Sequence, residues 1–453
     1  MAQRIRFNAF QMNAASHQSP GLWTHPRDTA HRYTDPQHWV ELAQLLERGV
    51  FDGVFLADVL GVYDVFGGNH EAAVRHGVQV PVNDPLALVP LMAQATEHLG
   101  FGVTCALTYE HPYPFARRIS TLDHLTGGRV GWNIVTGYLD SAARNLGLSN
   151  QLGHDARYDL ADEYMDVVYK LWEKSWADDA VRRDKATGTF TDPSKVRPIR
   201  HQGTHYQVPG IHLCEPSPQR TPVLYQAGTS PRGVTFAARH AECVFISGPT
   251  EKVLRRYVDT VRSGLVAQGR PADDVLIYAQ ALVITGATEA EARAKHRELL
   301  EHIDVEASLA LLSGWTGVDF SKYDPDAPIE HVDTEAGRTA LASFSQTDPS
   351  RQWAVGEAAR FIGLGGRGPV IVGSPSQVAD ELERWVDATG IDGFNLTYAL
   401  AHETMRDVVD HVVPELQRRG RTASRAGCRG RRRWRSARGP RLGEGHTATR
   451  VQI

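Results

Sequence analysis

The stretch RVGWNIVT at Arg129–Thr136 decides the fold class. Its core is apolar without interruption except at Asn133, and it contains two β-branched valines and an isoleucine. A near-continuous apolar run of this length is typical of a parallel strand that is covered on both faces, whereas a half-exposed strand alternates polar and apolar residues. The stretch therefore predicts a buried parallel strand in an α/β protein.

Seven further stretches share this short, β-branched or aromatic character and are bounded by Gly, Asp or Pro: Arg4–Met12, Asp52–Ala57, Gly102–Thr108, Pro222–Gln226, Cys243–Ile246, Val275–Ile284 and Asp392–Tyr398. Helical patterns separate them. One runs from Pro36 to Gly49 behind a capping Asp35, and another begins at Pro85 and is closed by Gly100. Eight strands that alternate with helices predict a TIM (β/α)8 barrel with insertions. A doubly wound sheet with a second domain is the alternative.

The barrel is expected to form a single domain over residues 1–420. Two long non-repeating stretches interrupt it, at about 176–221 and 286–368, and long segments of this kind are usually functional. The second stretch, which carries Trp315 and Phe320, is the candidate lid.

Charge is spread unevenly along the 453 residues, whose formal net charge is -4. Residues 421–453 hold ten arginines and one acid, so this tail is +9 and the preceding body is -13. An acidic body argues against nucleic acid as a partner. No apolar run approaches the roughly 20 residues that a membrane span needs, and the four cysteines lack metal or redox spacing. These features predict a cytoplasmic protein that does not bind membranes.

The sequence GLGGRG at Gly363–Gly368 matches the dinucleotide-binding pattern G-x-G-x-x-G. That pattern requires a helix after it, because the helix N-terminus binds the pyrophosphate. Here Pro369–Val372 (PVIV) reads as a strand. We therefore reject a nicotinamide site and interpret the motif as a flexible turn.

Two helix starts are candidate phosphate sites. Gly228-Thr229-Ser230-Pro231 follows a predicted strand and opens a helix, where free backbone N–H groups attract anions. His154–Tyr158 (HDARY) precedes another helix and contains several donors. Each pattern also fits an ordinary helix cap.

Polar residues near the predicted strand ends form a further set. Asp58 ends the second strand, while Thr104 and Asn133 lie within the third and fourth. The loops add four aromatic, imidazole and amide side chains: His17, Tyr63, Gln79 and Tyr138. Barrel active sites form at the carboxyl ends of strands, although backbone satisfaction and loop packing explain such residues equally well. The 20 histidines show no metal-ligand spacing, so no metal is predicted.

Several segments in one order resemble the flavin-dependent monooxygenases of the bacterial-luciferase superfamily, over essentially all of 1–420. They include Phe7–Phe10 (FNAF), Leu46–Asp52 (LERGVFD), Trp132–Thr136 (WNIVT), His154–Tyr158 and Gln226–Gly228 (QAG). More narrowly, they resemble the group that acts on nitrilotriacetate, dibenzothiophene sulfone, long-chain alkanes and dimethylsulfide.

The resemblance implies a TIM barrel that uses FMN, as FMNH2 supplied by a separate NAD(P)H:flavin reductase. FMNH2 and molecular oxygen would form a flavin hydroperoxide that oxygenates a small-molecule substrate, and the chain would form a homodimer or homotetramer. Carried over by position, the FMN contacts would be Asp58, Thr104, His154, Tyr158 and Ser230, with the last three near the phosphate and Asn133 near the ring. The substrate pocket would be lined by His17, Tyr63, Gln79 and Tyr138.

Finer patterns favour one substrate class. Ser313–Phe320 and Ala379–Asp387 look closer to the dimethylsulfide enzyme, while Tyr138 and Leu311 stand where the alkane enzyme carries His. We therefore expect a small organosulfur substrate such as a dialkyl sulfide. A long-chain alkane, dibenzothiophene sulfone or an aminopolycarboxylate remains an alternative, as do deazaflavin-dependent hydride transfer and, because Ala14 replaces a family cysteine, a non-catalytic flavin-binding protein.

The basic tail at 421–453 is expected to be disordered or out of frame. Gly439–Leu442 (GPRL) and His446 look like the end of the family, whereas Arg421–Arg438 does not. We hypothesise a frame error in a GC-rich gene, restored near Gly439, which resequencing of its 3′ end would test.

Overall fold

The computed structural model describes residues 4–228, 230–330, 338–345, 347, 350–423, 441–443 and 445–453. Eight parallel strands form its centre: β1 (Arg6–Met12), β2 (Gly53–Ala57), β3 (Gly100–Ala106), β4 (Val130–Val135), β9 (Val223–Gln226), β10 (Cys243–Ile246), β11 (Leu276–Thr285) and β13 (Gly393–Thr397). Their order is β10-β9-β4-β3-β2-β1-β13-β11, and pairing of β10 with β11 closes the ring. All eight predicted strands and the TIM barrel are confirmed, and the doubly wound alternative is wrong because a closed ring has no sheet edge.

The central strand β4 shows why the apolar run forms a barrel. Trp132 faces the surrounding helices, where its ring lies 4.5 Å from that of Phe115 and 6.4 Å from that of Trp172. The next residue, Asn133, faces the barrel interior, since neighbouring side chains of a strand point to opposite sides. The strand is thus buried on both faces, with one polar side chain reserved for the interior.

Sixteen helices surround or extend the barrel in the described part of the chain: α1 (Pro36–Arg48), α2 (Glu71–Arg75), α3 (Leu88–Gln94), α4 (Pro112–Leu125), α5 (Asp140–Asn145), α6 (His154–Tyr169), α7 (Pro231–His240), α8 (Glu251–Ala267), α9 (Glu289–Glu301), α10 (Val305–Thr316), α11 (Arg338–Ser345), α12 (Val355–Ile362), α13 (Pro375–Thr389), α14 (Glu403–Asp407), α15 (Val413–Arg418) and α16 (Thr447–Arg450). As predicted, Asp35 caps α1 by accepting the Gln37 N–H at 2.9 Å. None of the described helices is both long and apolar enough to cross a bilayer.

The helix predicted from Pro85 to Gly100 is shorter than expected. It ends at Gln94, and Gly100 instead begins β3. The cause is Glu47, whose carboxylate accepts the backbone N–H groups of Glu97, His98 and Leu99 at 2.6–3.0 Å. This contact across about fifty residues holds the segment in an extended turn.

The glycine-rich motif Gly363–Gly368 leads into a ninth parallel strand, β12 (Val370–Gly373), and not into a helix. This strand pairs with the second half of the long strand β11. Rejection of the dinucleotide-binding pattern is therefore confirmed.

The two insertions have different positions. The first forms two small hairpins, β5 (Val181–Asp184) with β6 (Thr189–Thr191) and β7 (His201–Gln202) with β8 (Gln207–Val208). The second carries α9 to α12. The segment from α10 to α12 forms a separate apolar cluster together with loops that follow other strands. The insertion contributes Leu311, Phe320, Phe344 and Trp353, and the loops contribute Tyr63 and Leu139. Phe320 is buried in this cluster, so of the two aromatic residues named for the lid, Trp315 is the one that lines a cavity.

Part of the basic tail is packed against the body. His446 Nε2 lies 2.9 Å from the His240 carbonyl oxygen, and Ala448 is fully buried. Lys174 Nζ donates to the Thr449 carbonyl at 2.8 Å. Residues 441–443 and 445–453 thus bury an apolar side chain and satisfy backbone groups of the barrel helices. Residues 424–440, which hold most of the segment assigned to a frame error, lie outside the described residues.

We expect His446→Ala to lower the free energy of unfolding by about 1–2 kcal/mol, because it removes a buried hydrogen bond and the ring contact with Tyr169. Thermal unfolding measures this as a fall of a few degrees in Tm, roughly 2–4 °C per kcal/mol or less in a chain of this size. Arg450→Ala, an exposed change on the same helix, is the control and should leave Tm unchanged. Equal Tm values for both variants would contradict the packed arrangement.

Candidate functional site

Two adjoining cavities open at the carboxyl ends of the barrel strands. The outer cavity, of about 280 Å³, extends over the starts of α6 and α7. The barrel cavity, of about 290 Å³, lies over the barrel interior. They share a wall made of Asp58, Val59, Val135, Tyr138 and Ala227. Together they form one elongated site.

All nine predicted site residues line these two cavities. His154, Tyr158 and Ser230 lie on the outer cavity. Those on the barrel cavity are His17, Tyr63, Gln79 and Thr104. Asp58 and Tyr138 belong to the shared wall.

The outer cavity has an electropositive end where two helices start. Ser230 caps α7 by accepting the Gly233 N–H at 3.1 Å, and His154 is the first residue of α6. The two side chains meet, with His154 Nε2 at 3.3 Å from Ser230 Oγ. Two helix N-termini, a hydroxyl and an imidazole at one place form a binding site for an anion such as a phosphate.

Glycine keeps this end of the cavity open. A Cβ atom on Gly233 would lie 2.9 Å from the Tyr158 hydroxyl, and one on Gly228 would lie 3.2 Å from it. The Gly228 N–H donates to Gln226 Oε1 at 2.8 Å, which fixes the turn after β9. The backbone can therefore approach a ligand beside the Tyr158 hydroxyl.

Asp58 stands between the two cavities. Its burial, assisted by the Asp84 carboxylate, raises its pKa to about 7, against an opposing hydrogen bond from the Val59 backbone. The carboxyl group therefore donates a hydrogen bond in its protonated form below neutrality and only accepts in its ionised form above it.

This pKa predicts a pH-dependent stability. Folding favours the protonated Asp58, so the contribution of this group to the free energy of unfolding falls as pH rises from about 4 to about 7 and then levels off. Asp58→Asn removes this titration. We expect the difference in free energy of unfolding between Asp58→Asn and the wild type to shift in favour of the variant by about 1–2 kcal/mol from pH 5.5 to pH 8. Denaturant unfolding at the two pH values measures this change.

Asp84→Asn is the matched test, because it should shift the Asp58 midpoint to lower pH while keeping a capping acceptor for the Leu86 N–H. A constant difference between Asp58→Asn and wild type across this pH range would show that Asp58 titrates normally.

The interior of the barrel cavity offers unpaired amide oxygens. Asn133 Nδ2 donates to Thr104 Oγ1 at 3.0 Å, while Asn133 Oδ1 and Asn395 Oδ1 are buried and have no hydrogen-bond partner among the described residues. Such groups are costly unless a ligand satisfies them. The barrel cavity is therefore suited to a ligand that carries N–H or O–H donors.

A directed hydrogen-bond chain forms the side of the barrel cavity. Gln79 Nε2 donates to the His17 carbonyl at 3.0 Å, so Gln79 Oε1 accepts the Tyr63 hydroxyl, also at 3.0 Å. With its proton committed to Gln79, the Tyr63 oxygen accepts from the Tyr138 hydroxyl at 2.8 Å. Tyr138 then presents an acceptor oxygen to the cavities.

The His17 imidazole is neutral. Complete burial lowers its pKa to about 3, although a hydrogen bond with the Phe10 backbone opposes the shift. Its ring packs edge-on against Phe10, with 4.3 Å between the centroids. His17 therefore shapes and hydrogen-bonds the cavity and does not carry charge.

Sequence reasoning missed several residues that line the barrel cavity. Gln280 on β11 and Asn395 on β13 are polar side chains inside apolar strands, which is the signal that identified Thr104 and Asn133. Arg367 belongs to the rejected glycine motif, and the sequence carried no signal that it reaches the cavity.

A closed parallel barrel whose site lies at the carboxyl ends of its strands, with one end suited to anions and the other lined by aromatic side chains, is the arrangement of a TIM-barrel enzyme. Residues 17–393 match the family described as luciferase-like monooxygenase, and the chain belongs to that family. It is an enzyme of a family of flavin-dependent monooxygenases.

Individual relatives agree. The chain is 53% identical over 421 residues to the dimethyl-sulfide monooxygenase of Hyphomicrobium sulfonivorans, covering 93% of this chain and 88% of that one. It is 48% identical to the long-chain alkane monooxygenase of Geobacillus thermodenitrificans, covering 93% and 91%. The crystal structure of a riboflavin lyase with modified FMN and riboflavin superposes with a TM-score of 0.92 at 34% identity, covering 100% of each chain. The predicted resemblance to the bacterial-luciferase group is confirmed.

Proposed function

We propose that this protein is a two-component monooxygenase that uses FMNH2 and molecular oxygen to oxygenate a small organosulfur compound, such as a dialkyl sulfide. The observation that carries the proposal is the divided site, with an anion-binding end at α6 and α7 and a cavity lined by aromatic side chains over the barrel. The 53% identity to a dimethyl-sulfide monooxygenase supports the substrate class.

FMN fits the residues of the two cavities. Ser230, His154 and Tyr158 would hold its phosphate, as two helix N-termini and two hydroxyls suit an anion. The orphaned oxygens of Asn133 and Asn395 would accept hydrogen bonds from the flavin ring, whose N–H groups are donors. When bound in its reduced form, this cofactor supplies the activation of dioxygen for transfer of one oxygen atom.

The protein's own contribution is the shape and the aromatic lining of the barrel cavity. Phe10, Phe55 and Phe245 line the barrel side, and Trp315 lines it from the proposed lid, α10 to α12. Exclusion of water from such a site prevents loss of the oxidant as hydrogen peroxide. Oxygenation of a sulfide needs no strong acid or base from the protein, which agrees with a neutral His17 and with tyrosines whose pKa burial raises.

The chain would depend on a partner for reducing equivalents. Its candidate dinucleotide motif leads into β12 and lacks the helix start that binds a pyrophosphate. A separate NAD(P)H:flavin reductase, present in the same cytoplasmic compartment, would therefore supply FMNH2.

The test combines the purified protein with a flavin reductase, NADH, FMN and labelled dioxygen. Dimethyl sulfide is compared with a long-chain alkane, dibenzothiophene sulfone and an aminopolycarboxylate, and mass spectrometry follows substrate loss and label incorporation. We expect oxygenation of the sulfide, with label in the product. If FMN binds tightly but every compound yields only hydrogen peroxide, the protein is a flavin-binding protein; preferential binding of a deazaflavin would indicate hydride transfer instead.

A further inference from the structure

The glycine-rich motif Gly363–Gly368 brings Arg367 to the barrel cavity, and Arg367 is the one lysine or arginine among the described residues that line it. Gly365 and Gly366 have φ angles of 86° and 74°, which favour glycine. A Cβ atom on Gly366 would overlap the Gln18 side chain, and one on Gly368 would overlap the Gln280 backbone. The turn between them is thus pressed onto the barrel, and Arg367 lines the cavity.

Hydrogen bonds fix this turn on both sides. The Gly365 N–H donates to Ser19 Oγ at 2.9 Å, and the Gly365 carbonyl accepts from Gln280 Nε2 at 2.8 Å. Gln280 Nε2 also donates to Gln18 Oε1 at 3.0 Å. The turn expected to be flexible is therefore hydrogen-bonded to the barrel on both sides, and its Arg367 lines the barrel cavity.

The Arg367 guanidinium has no anionic partner among the described residues. Its central carbon lies 5.3 Å from the Trp315 ring centroid, which is an interaction with an aromatic face. Burial lowers its pKa, and the groups that oppose this shift are tyrosines, including Tyr138 and Tyr63. Asp58 lines the same cavity but does not perturb the pKa of Arg367.

Arg27, unlike Arg367, has anionic partners. It lies on the surface and pairs with both Glu298 and Glu403, at 2.8 Å and 3.0 Å. Arg367 is partly buried where it lines the cavity, and a desolvated guanidinium without such a pair is stabilised when a bound molecule supplies the anion. The planar fork of arginine matches a carboxylate or another planar or tetrahedral oxyanion. The phosphate of a flavin cofactor would lie in the outer cavity, at the opposite end of the site.

We propose that the substrate is an organosulfur compound with an anionic group, such as a thioether carboxylate, and that Arg367 binds this group beside Trp315. This inference rests on the proposed function and narrows its substrate class. Arg367 is then the residue that distinguishes charged from neutral sulfides.

The test uses two probes of equal size and shape, 3-(methylthio)propanoate and its neutral analogue 3-(methylthio)propanamide. Their binding to the FMN-loaded protein is measured by calorimetry without reductant, for wild type, Arg367→Gln and Arg367→Lys. We expect the wild type to bind the carboxylate at least 10-fold more tightly than the amide. Arg367→Gln should abolish this preference with the amide affinity within threefold of wild type, and Arg367→Lys should retain part of it.

Equal binding of the two probes by wild type, absence of carboxylate binding, or a preference that survives Arg367→Gln would overturn the inference. So would a loss of affinity for FMN itself in Arg367→Gln with the probe preference intact, since Arg367 would then serve the cofactor. The proposed function fails separately: it fails if the protein with a flavin reductase oxygenates neither dimethyl sulfide nor either probe, whatever their calorimetric affinities.

Discussion

Replacing Ser230 and His154 together by alanine is expected to weaken FMN binding about 100-fold or more, with riboflavin affinity kept within about threefold. Both side chains meet at the helix starts of the outer cavity, 3.3 Å apart. Hydrogen bonds to a charged group contribute about 1.5–3 kcal/mol each, and every 1.4 kcal/mol is a tenfold change in affinity. Titration of each flavin by fluorescence quenching gives the two dissociation constants.

Two further variants separate ligand binding from helix capping. Ser230→Asp keeps an N-cap acceptor for the Gly233 N–H but brings a negative charge to the phosphate, so it should lose FMN while α7 remains intact. Thr235→Ala, an exposed change on α7, should bind both flavins as wild type does. A parallel loss of FMN and riboflavin affinity in the double alanine variant would place the phosphate elsewhere.

The barrel could be predicted because each strand can be recognised from its own residues. Stretches such as Arg129–Thr136 are buried on both faces, and the nearly continuous run of apolar residues in each stretch indicates this burial. The two helix starts at Ser230 and His154 could also be recognised from the local sequence. That the two starts meet follows only from the closed ring of strands.

The features that could not be predicted from the sequence depend on contacts between distant residues. Glu47 shortens the helix before β3 from about fifty residues away. Arg367 reaches the barrel cavity because Gln18 and Gln280 hold its glycine turn. His446 packs on His240 across the chain, in a tail whose composition indicated disorder. A local sequence pattern does not show which distant residues a segment will contact.

Gly314→Ala is expected to uncouple the proposed oxygenation, because α10 packs against Tyr63 at this residue. A methyl group there would overlap the Tyr63 ring. Tyr63 is fully buried and its hydroxyl joins Gln79 to Tyr138, so either the ring rotates and breaks this chain or α10 moves outward with Trp315. Both outcomes open the barrel cavity to water. We expect the yield of oxygenated sulfide per NADH consumed to fall about tenfold, roughly 1.4 kcal/mol in the partition between oxygenation and peroxide release.

The thermal stability of Gly314→Ala tests the same overlap independently of the oxygenation yield. Alanine normally stabilises a helix relative to glycine by about 1 kcal/mol, so a fall in Tm for Gly314→Ala would arise from the overlap with Tyr63. FMN affinity should stay within about threefold of wild type, because the anion-binding end lies in the other cavity. Glu306→Ala, an exposed change on α10, is the control for both measurements. If Gly314→Ala keeps wild-type coupling and gains stability, then α10 does not close the chamber, and the water-excluding role of the segment from α10 to α12 is wrong.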